Sequence, residues 1–504
     1  MQTPQQVEAV GIGKQFGAFR ALDDASLIVP SGTFHALVGE NGAGKSTLAK
    51  CLLGFYRPDG GVVRVGDQTV VTPLDARRSG LGMVFQHFTL APSLTVAENL
   101  VMARHDLPTV IDWKQEKATL ARFLEQAPFS VDLESKVYDL AAGQKQKVEI
   151  LKQLYLQTRI LILDEPTSVL TPSEATEVMT VLRGLVEQKL LSIILITHKL
   201  REVLSFADDV TVLRRGRQVA TSKVAATSGP EITSWIMGDS QVPEQAARSS
   251  TTSSSTLLEI KNLTVLGDHG LPVVRGASLS VKSGEIVGIA GVSGNGQREL
   301  VQAIGGQRDI ASGDILANGQ EFHPTRSGID ATGLFTLPEE PLANACVPSM
   351  SVADNMALRS FDKGSRVLLH RSKIRSAASE LIQQFGIRTP SIDSPIKYLS
   401  GGNIQRAVLA RDLGANRPRI MVAANPCFGL DMGATAFVHN RLMELRNAGG
   451  AILLISEDLD ELLKMSDRIA VIHGGAIAYE APRSELDIGE IGRHMSGMRH
   501  SDTP

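Results

Sequence analysis

The residue pattern predicts an α/β protein made of two tandem phosphate-loop cassettes, each built around a parallel sheet. Three features carry the prediction. A complete glycine-rich phosphate-binding loop sits between a strand-like and a helix-like run, further apolar runs end in chemically useful side chains, and the layout recurs about 250 residues later.

The loop is Gly39-Glu40-Asn41-Gly42-Ala43-Gly44-Lys45-Ser46, a full G-x-x-x-x-G-K-S match. It follows the apolar run Phe34-His35-Ala36-Leu37-Val38 and leads into Thr47-Leu48-Ala49-Lys50-Cys51-Leu52-Leu53, which is the strand, loop, helix setting the motif requires. Gly39, Gly42 and Gly44 let backbone N–H groups turn toward phosphate oxygens, and a helix starting at Lys45 adds its positive end. Lys45 is then placed to reach the β- and γ-phosphates and Ser46 to ligate Mg²⁺.

A second strand-like run, Arg159-Ile160-Leu161-Ile162-Leu163, ends in Asp164-Glu165-Pro166-Thr167. Adjacent carboxylates at the end of a buried-type strand belong at the edge of a parallel sheet, where α/β proteins bind ligands. Asp164 suits a metal shell, and Glu165 suits orienting or deprotonating an attacking water. A third run, Leu191-Ser192-Ile193-Ile194-Leu195-Ile196-Thr197, delivers His198 to the same edge. A single histidine is more often structural than catalytic, but this placement favours a γ-phosphate contact. Gln86 follows the run Leu81-Gly82-Met83-Val84-Phe85, and the stretch Leu140-Ala141-Ala142-Gly143-Gln144-Lys145-Gln146-Lys147-Val148-Glu149 lies between it and the carboxylates.

In that order, the phosphate loop, the glutamine, the 140–149 signature run, the Asp-Glu strand and the histidine resemble the ATP-binding subunit of an ABC transporter, over nearly all of the chain. The resemblance implies two P-loop NTPase domains, each with a RecA-like parallel-sheet core, an antiparallel β subdomain and a helical signature subdomain. It implies ATP and Mg²⁺ as cofactors, with Glu165 and His198 catalytic. Glu40, Asn41, Ala43 and Thr47 join the loop glycines, Lys45, Ser46, Gln86 and Asp164 in the ATP set. Ser46, Gln86 and Asp164 hold the metal. Phe16 is similar to the aromatic that stacks on adenine, although an aromatic before a glycine equally suits a core.

The repeat is explicit. Ser283 to Leu300 aligns with Ser31 to Leu48 at an offset of 252 residues (39 to 291), and Leu399-Ser400-Gly401-Gly402-Asn403-Ile404-Gln405 aligns with Leu140 to Gln146 at 259 (140 to 399). The copies are defective in different places. In the second, Gln297 stands for Lys45, Arg298 for Ser46, Ala424 for Asp164, Asn425 for Glu165, Glu457 for His198 and Glu339 for Gln86. In the first, Ala141-Ala142-Gly143 stands where the second has Ser400-Gly401-Gly402. ABC cassettes pair head to tail, so the resemblance implies one complete composite ATP site, using the intact loop at 39–46 with Ser400, Gly401, Gly402 and Gln405. The other site has lost parts from both sides.

Length and composition bound the rest. The 504 residues suit two cassettes, expected at 1–245 and 257–504, joined by a Ser/Thr-rich flexible connector at 246–256. With 51 basic and 54 acidic residues and no basic block, a general nucleic-acid surface is not indicated. No apolar stretch approaches the ~20 residues that span a bilayer, and the N-terminal residues lack a signal-peptide pattern. A membrane task therefore falls to separate subunits. The three cysteines have no metal-ligand spacing and suit a reducing compartment as small apolar residues.

Tandem cassettes with a degenerate second copy, the Leu-Ser-Gly-Gly-Asn signature and the segment Gly429-Leu430-Asp431-Met432-Gly433-Ala434 look like the fused ATPase subunits of bacterial sugar and nucleoside importers. Those imply two permease subunits, a solute-binding protein and a peripheral place on the cytoplasmic face of the inner membrane. The runs Val148-Glu149-Ile150-Leu151-Lys152 and Leu170-Thr171-Pro172, with Ile196 to Val203, look closer to the nucleoside or purine branch than to the ribose or galactose branch. Where both usually carry Pro-Glu-Asp-Arg, this chain reads Pro338-Glu339-Glu340-Pro341. A monosaccharide importer ATPase of the ribose or galactose type is the alternative; more remote is a soluble two-cassette ATPase acting on ribosomes or DNA, which usually needs two working sites and a long charged linker, and this chain has neither. A non-hydrolysing regulatory binder is disfavoured by the retained Glu165 and His198.

Overall fold

The computed structural model describes residues 3–17, 19–168, 170–238, 247–249, 255–292, 294–361, 369–414, 418–428, 430 and 432–497. The chain divides into two compact units, Met1–Gln241 and Val242–Pro504.

The first unit holds a six-stranded sheet. Its order is Arg217–Lys223, Asp209–Arg214, Phe34–Val38, Ser192–Ile196, Ile160–Asp164, Leu81–Val84. The five strands from Asp209–Arg214 onward are mutually parallel, and Arg217–Lys223 returns antiparallel through a turn at Arg215-Gly216. Phe34–Val38 and Ser192–Ile196 are buried at every position, as central parallel strands covered on both faces must be. The register pairs Leu37 with Ile196 and Ile196 with Asp164. The residues that follow these strands, together with Gln86 beyond Val84, therefore emerge along one edge.

One face of the sheet packs helix Lys45–Leu52 and a four-stranded antiparallel sheet ordered Phe19–Val29, Val7–Phe16, Gly60–Val65, Gln68–Thr69. The other face packs helices Ala142–Tyr155 and Pro172–Glu187 through Ile150, Leu151, Val178, Met179, Leu182 and Val186. Pro172–Glu187 starts where its sequence says it should. Thr171 caps it reciprocally with Glu174, and Pro172 occupies the first turn. A separate small core of Val96, Leu100, Leu120, Val137 and Val148 holds together a helical lobe made by Val96–Met102, Trp113–Leu124 and the start of Ala142–Tyr155.

The second unit repeats this plan. Its six strands run Ala476–Pro482, Arg468–His473, Ile286–Ala290, Ala451–Ile455, Ile420–Ala424, Leu334–Leu337, and its antiparallel sheet runs Pro272–Lys282, Thr256–Leu266, Ile310–Ala317, Gln320–Glu321. Of the connector expected at 246–256, only 247–249, 255 and 256 are described. Those residues are tied down. Arg248 binds Asp467 at 2.7 Å, Arg446 reaches the Ser249 carbonyl at 2.9 Å, and Asn447 binds the Ala247 carbonyl at 2.8 Å. Thr256 already belongs to a strand. Gly429 and Asp431 of the sequence-predicted segment lie outside the described residues, as does Ser293 of the second loop.

Candidate active site at the strand ends of the first unit

Lys45 is buried, at 7 % exposure. Its ammonium donates to the carbonyls of Gly39 at 2.7 Å and Glu40 at 3.0 Å, so it lies folded over the loop it serves. Burial lowers its proton affinity, and the charges of Glu165, Asp164 and Glu40 oppose that shift. The glycine before it is forced by geometry. Gly44 has φ 104° as the N-cap of helix Lys45–Leu52, and a Cβ there would stand 2.8 Å from the Ala21 carbonyl. Ala43 is buried, while Asn41, Gly42 and Ser46 face solvent and Glu40 and Thr47 are half-buried.

Ser46 Oγ lies 3.5 Å from Asp164 Oδ2, which joins helix start and strand end across 118 residues. Burial, and next the charge of Glu165, raises the Asp164 pKa against the pull of Lys45. The pair is short of positive charge, and its donors are the hard oxygens that Mg²⁺ takes. Glu165 has φ 48°, the left-handed region, with its N–H donated to the Ile196 carbonyl at 2.9 Å. Its carboxylate makes two contacts. Gln86 Nε2 donates to Oε2 at 2.9 Å, and His198 Nδ1 meets Oε1 at 3.0 Å. Burial pushes the Glu165 pKa up, but the hydrogen bond and charge of His198, with Lys45 and Lys199, bring it net below the ordinary value. Glu165 is therefore ionised and able to accept a proton. Gln86, expected in the metal shell, here turns its amide to Glu165.

The first unit thus gathers Lys45, Ser46, Gln86, Asp164, Glu165 and His198 at one edge. Phe16 ends its strand 41 % exposed, edge-on to Tyr56 with ring centroids 5.2 Å apart, so it is a surface ring rather than a core residue. Ser400, Gly401, Gly402 and Gln405 lie in the second unit. There Ser400 is the N-cap of helix Gly401–Leu409 and accepts from Asn403 Nδ2 at 2.9 Å, and a side chain at Gly401 would meet open space. Gln405 is turned inward and donates to the Pro426 carbonyl at 2.9 Å.

The matching edge of the second unit keeps the backbone and loses the chemistry. Gly296 repeats the left-handed N-cap at φ 97°, and Asn425 repeats the left-handed strand end at φ 41°. Gln297 donates a single bond to Val292 at 3.1 Å, and the Asn425 amide oxygen accepts from the Glu457 N–H at 2.9 Å. Burial, and next the charge of Glu457, raises the Glu339 pKa against the Asn425 hydrogen bond and the charge of Arg298.

Sequence reasoning missed the girder behind the carboxylates. Buried Glu202 accepts from Thr167 and, at 2.8 Å, from Thr197, joining the Asp-Glu turn to the histidine turn, and Lys199 binds the Thr167 carbonyl at 3.3 Å. The second unit builds the same girder from Glu461, which accepts from Ser456 at 2.6 Å and pairs with His439 at 2.8 Å. Cys427, His439 and Glu461 bring their polar atoms within 4.8 Å of one another, a grouping their sequence spacing hides. The only sequence signal is a buried-type carboxylate four residues past each histidine-position residue, and that is common in helices.

The sequence model described as ABC transporter matches residues 22–168 and again 274–427. The chain belongs to the ABC transporter family. Its ABC relatives match nearly end to end. The nucleoside import ATP-binding protein NupA of Lactococcus lactis subsp. cremoris is 39 % identical, covering 97 % of this chain and 98 % of its own. The guanosine import ATP-binding protein NupO of Bacillus subtilis is 39 % identical with 98 % of each chain covered, and the ribose import ATP-binding protein RbsA 1 of Rubrobacter xylanophilus is 38 % identical with 95 % of each. As an ABC chain with two such cassettes, the protein is an ATPase that binds ATP.

Proposed function

We propose that the chain is the hydrolysing subunit of an importer for nucleosides or nucleobases, working at the cytoplasmic face of a bacterial inner membrane with two permease subunits and a solute-binding protein. One observation carries the reading: Lys45, Ser46, Gln86, Asp164, Glu165 and His198 converge in the first unit, while the second presents Gln297, Arg298, Glu339, Ala424, Asn425 and Glu457 at the same places. Relatives named for nucleoside and for ribose import both support an importer, and the Val148 to Lys152 run favours the nucleoside class. Among the described residues no helix is long and apolar enough to cross a membrane, which leaves the passage of solute to the permeases.

The mechanism follows from the geometry. Lys45 exchanges its carbonyl partners for β- and γ-phosphate oxygens, a swap the loop permits because those bonds are its own. Ser46 and Asp164 would hold Mg²⁺, which when bound would neutralise phosphate charge. Glu165 takes the proton of the attacking water while His198 and Gln86 fix its orientation. Phe16 offers a face for adenine. Ser400, Gly401 and Gly402 belong to the same ATP, because the intact signature and the intact loop stand in different cassettes and the family pairs head to tail.

The test is uptake in cells lacking the chain. Restoring the parental gene product should restore import of radiolabelled nucleosides, and Glu165→Gln should not, because loss of a general base costs about 10²- to 10⁴-fold in rate. The variant should still bind ATP. Restoration of ribose uptake with nucleosides untouched would move the solute to the monosaccharide class, and near-normal turnover by Glu165→Gln would remove the general-base assignment.

A further inference from the structure

Three residues past Gln86, a buried ion pair on the signature helix takes hold of the loop. Glu149 is 1 % exposed and Lys152 8 %, and they stand 2.5 Å apart one turn from each other on helix Ala142–Tyr155. Both charges are directed at Thr89. Glu149 accepts from the Thr89 N–H and lies 2.9 and 3.1 Å from its hydroxyl, to which Lys152 also donates at 2.6 Å. The helix does not need this pair for its own packing, because Val148, Ile150 and Leu151 beside it already fill two cores. Burying two charges is worthwhile only where their geometry is well satisfied, and here it is satisfied by a residue 60 positions away in the chain.

The stretch from Phe85 to Leu90 has neither helix nor strand to hold it. At one end Gln86 donates to Glu165, and at the other Thr89 is gripped by the pair. The second unit lacks this arrangement: Val408, Arg411 and Leu342 occupy the three places, and Arg411 turns to Asp412 and the Ala345 carbonyl. The second unit's buried Arg411–Asp412 pair thus also reaches the matching stretch, but at the Ala345 carbonyl, and only the first unit ties its pair to the side chain three residues past the Gln86 position.

We propose that Glu149 and Lys152 are positioning residues for hydrolysis: by fixing Thr89 they hold the Gln86 amide at Glu165 and so tie the signature helix to the general base. This rests on the reading of Gln86 and Glu165 given above. The informative variant is Thr89→Val, which keeps the shape and leaves the buried charges paired with each other, so the full chain should fold. Glu149→Gln is its companion, read only if its thermal melting stays cooperative. In the transporter assembled with its membrane subunits, Thr89→Val should lower kcat about 10- to 100-fold, the scale of a small misplacement, with KM for ATP within about twofold. Gln86→Ala should fall as far. Combining Gln86→Ala with Thr89→Val should cost no more than Gln86→Ala alone, because the grip then has nothing to position. Multiplying effects, or a parental kcat for Thr89→Val, overturn the proposal while leaving Gln86 its role. A parental kcat for Gln86→Ala overturns the reading of Gln86, and the proposal falls with it.

Discussion

At the scale of single residues, the two phosphate loops end differently, one in Lys45-Ser46 and the other in Gln297-Arg298. Lys45 makes two bonds inside its own loop and Gln297 makes one, so both loops are held in shape without nucleotide. Only the first has an ammonium at the lysine position to transfer to phosphate. Lys45→Ala should therefore lower ATPase activity by about 10²- to 10³-fold, the usual scale for removing one preorganised electrostatic donor, and Gln297→Ala should leave it within about twofold. Steady-state phosphate release from the assembled transporter reads both. Equal losses would make the second edge a required part of catalysis. The residue scale also sets the two adjacent carboxylates apart from ordinary acids. Asp164 is raised by burial and by its neighbour, and Glu165 is net lowered by His198 and Lys45. As pH falls, Asp164 therefore loses its charge at a higher pH than an ordinary aspartate, and Glu165 keeps its charge to a lower pH than an ordinary glutamate.

At the scale of elements, the start of the signature helix is the sharpest contrast between the units. Helices Ala142–Tyr155 and Gly401–Leu409 begin at equivalent positions, so Ala142 is the partner of Gly401, and Gly143 that of Gly402. This decides which substitutions compare like with like. A side chain at Gly143 would run into the Glu174 carboxylate, whereas one at Gly401 meets nothing. Gly401→Asp and Ala142→Asp are therefore the matched pair. If Gly401 faces the phosphates held by Lys45, its aspartate costs about 4 kcal/mol at 4 Å and an effective dielectric near 20, and ATPase activity should fall about as far as for Lys45→Ala. Ala142→Asp should cost much less. The reverse ranking, measured on folded and assembled protein, would reject the assigned pairing.

The elements were also where the sequence was most readable. Strand, loop and helix around Lys45 lie where the apolar run, the glycines and the following amphipathic stretch put them, and so do the strands that deliver Asp164 and His198. Each is specified locally, by glycine chemistry or by a continuous apolar run between charged ends. The girder of Glu202 and Glu461, the anchoring of Arg248 and the grip on Thr89 were not readable. They are side-chain bonds between segments 5 to 219 residues apart, made by residue types that are ordinary on any helix surface. The inward turn of Gln405 is of the same kind. A glutamine in a signature run looks like a ligand until the Pro426 carbonyl is found beside it.

For the molecule as a whole, the repeated sheet order means that the scaffold does not depend on Lys45, Asp164, Glu165 or His198, since the second unit keeps every strand without them. What the two halves do not share is how comfortably the backbone sits. Among the described residues, the non-glycine positions with left-handed backbone are Asp24, Gln157, Glu165, Lys189 and Arg215 in the first unit, and Asn262, Asn318 and Asn425 in the second. Asparagine tolerates that conformation, while longer side chains are strained in it by about 1 to 3 kcal/mol. The half that holds Lys45, Asp164 and Glu165 is thus also the half with left-handed backbone at longer side chains, where the other half places asparagine. Glu165→Asn copies the relaxed solution. It should be inactive yet melt higher than the parent in nucleotide-free calorimetry, by about 2 to 4 °C for each kcal/mol gained, as activity is exchanged for heat resistance. A lower melting temperature would mean that the contacts of Glu165 with His198 and Gln86 outweigh the tension it holds.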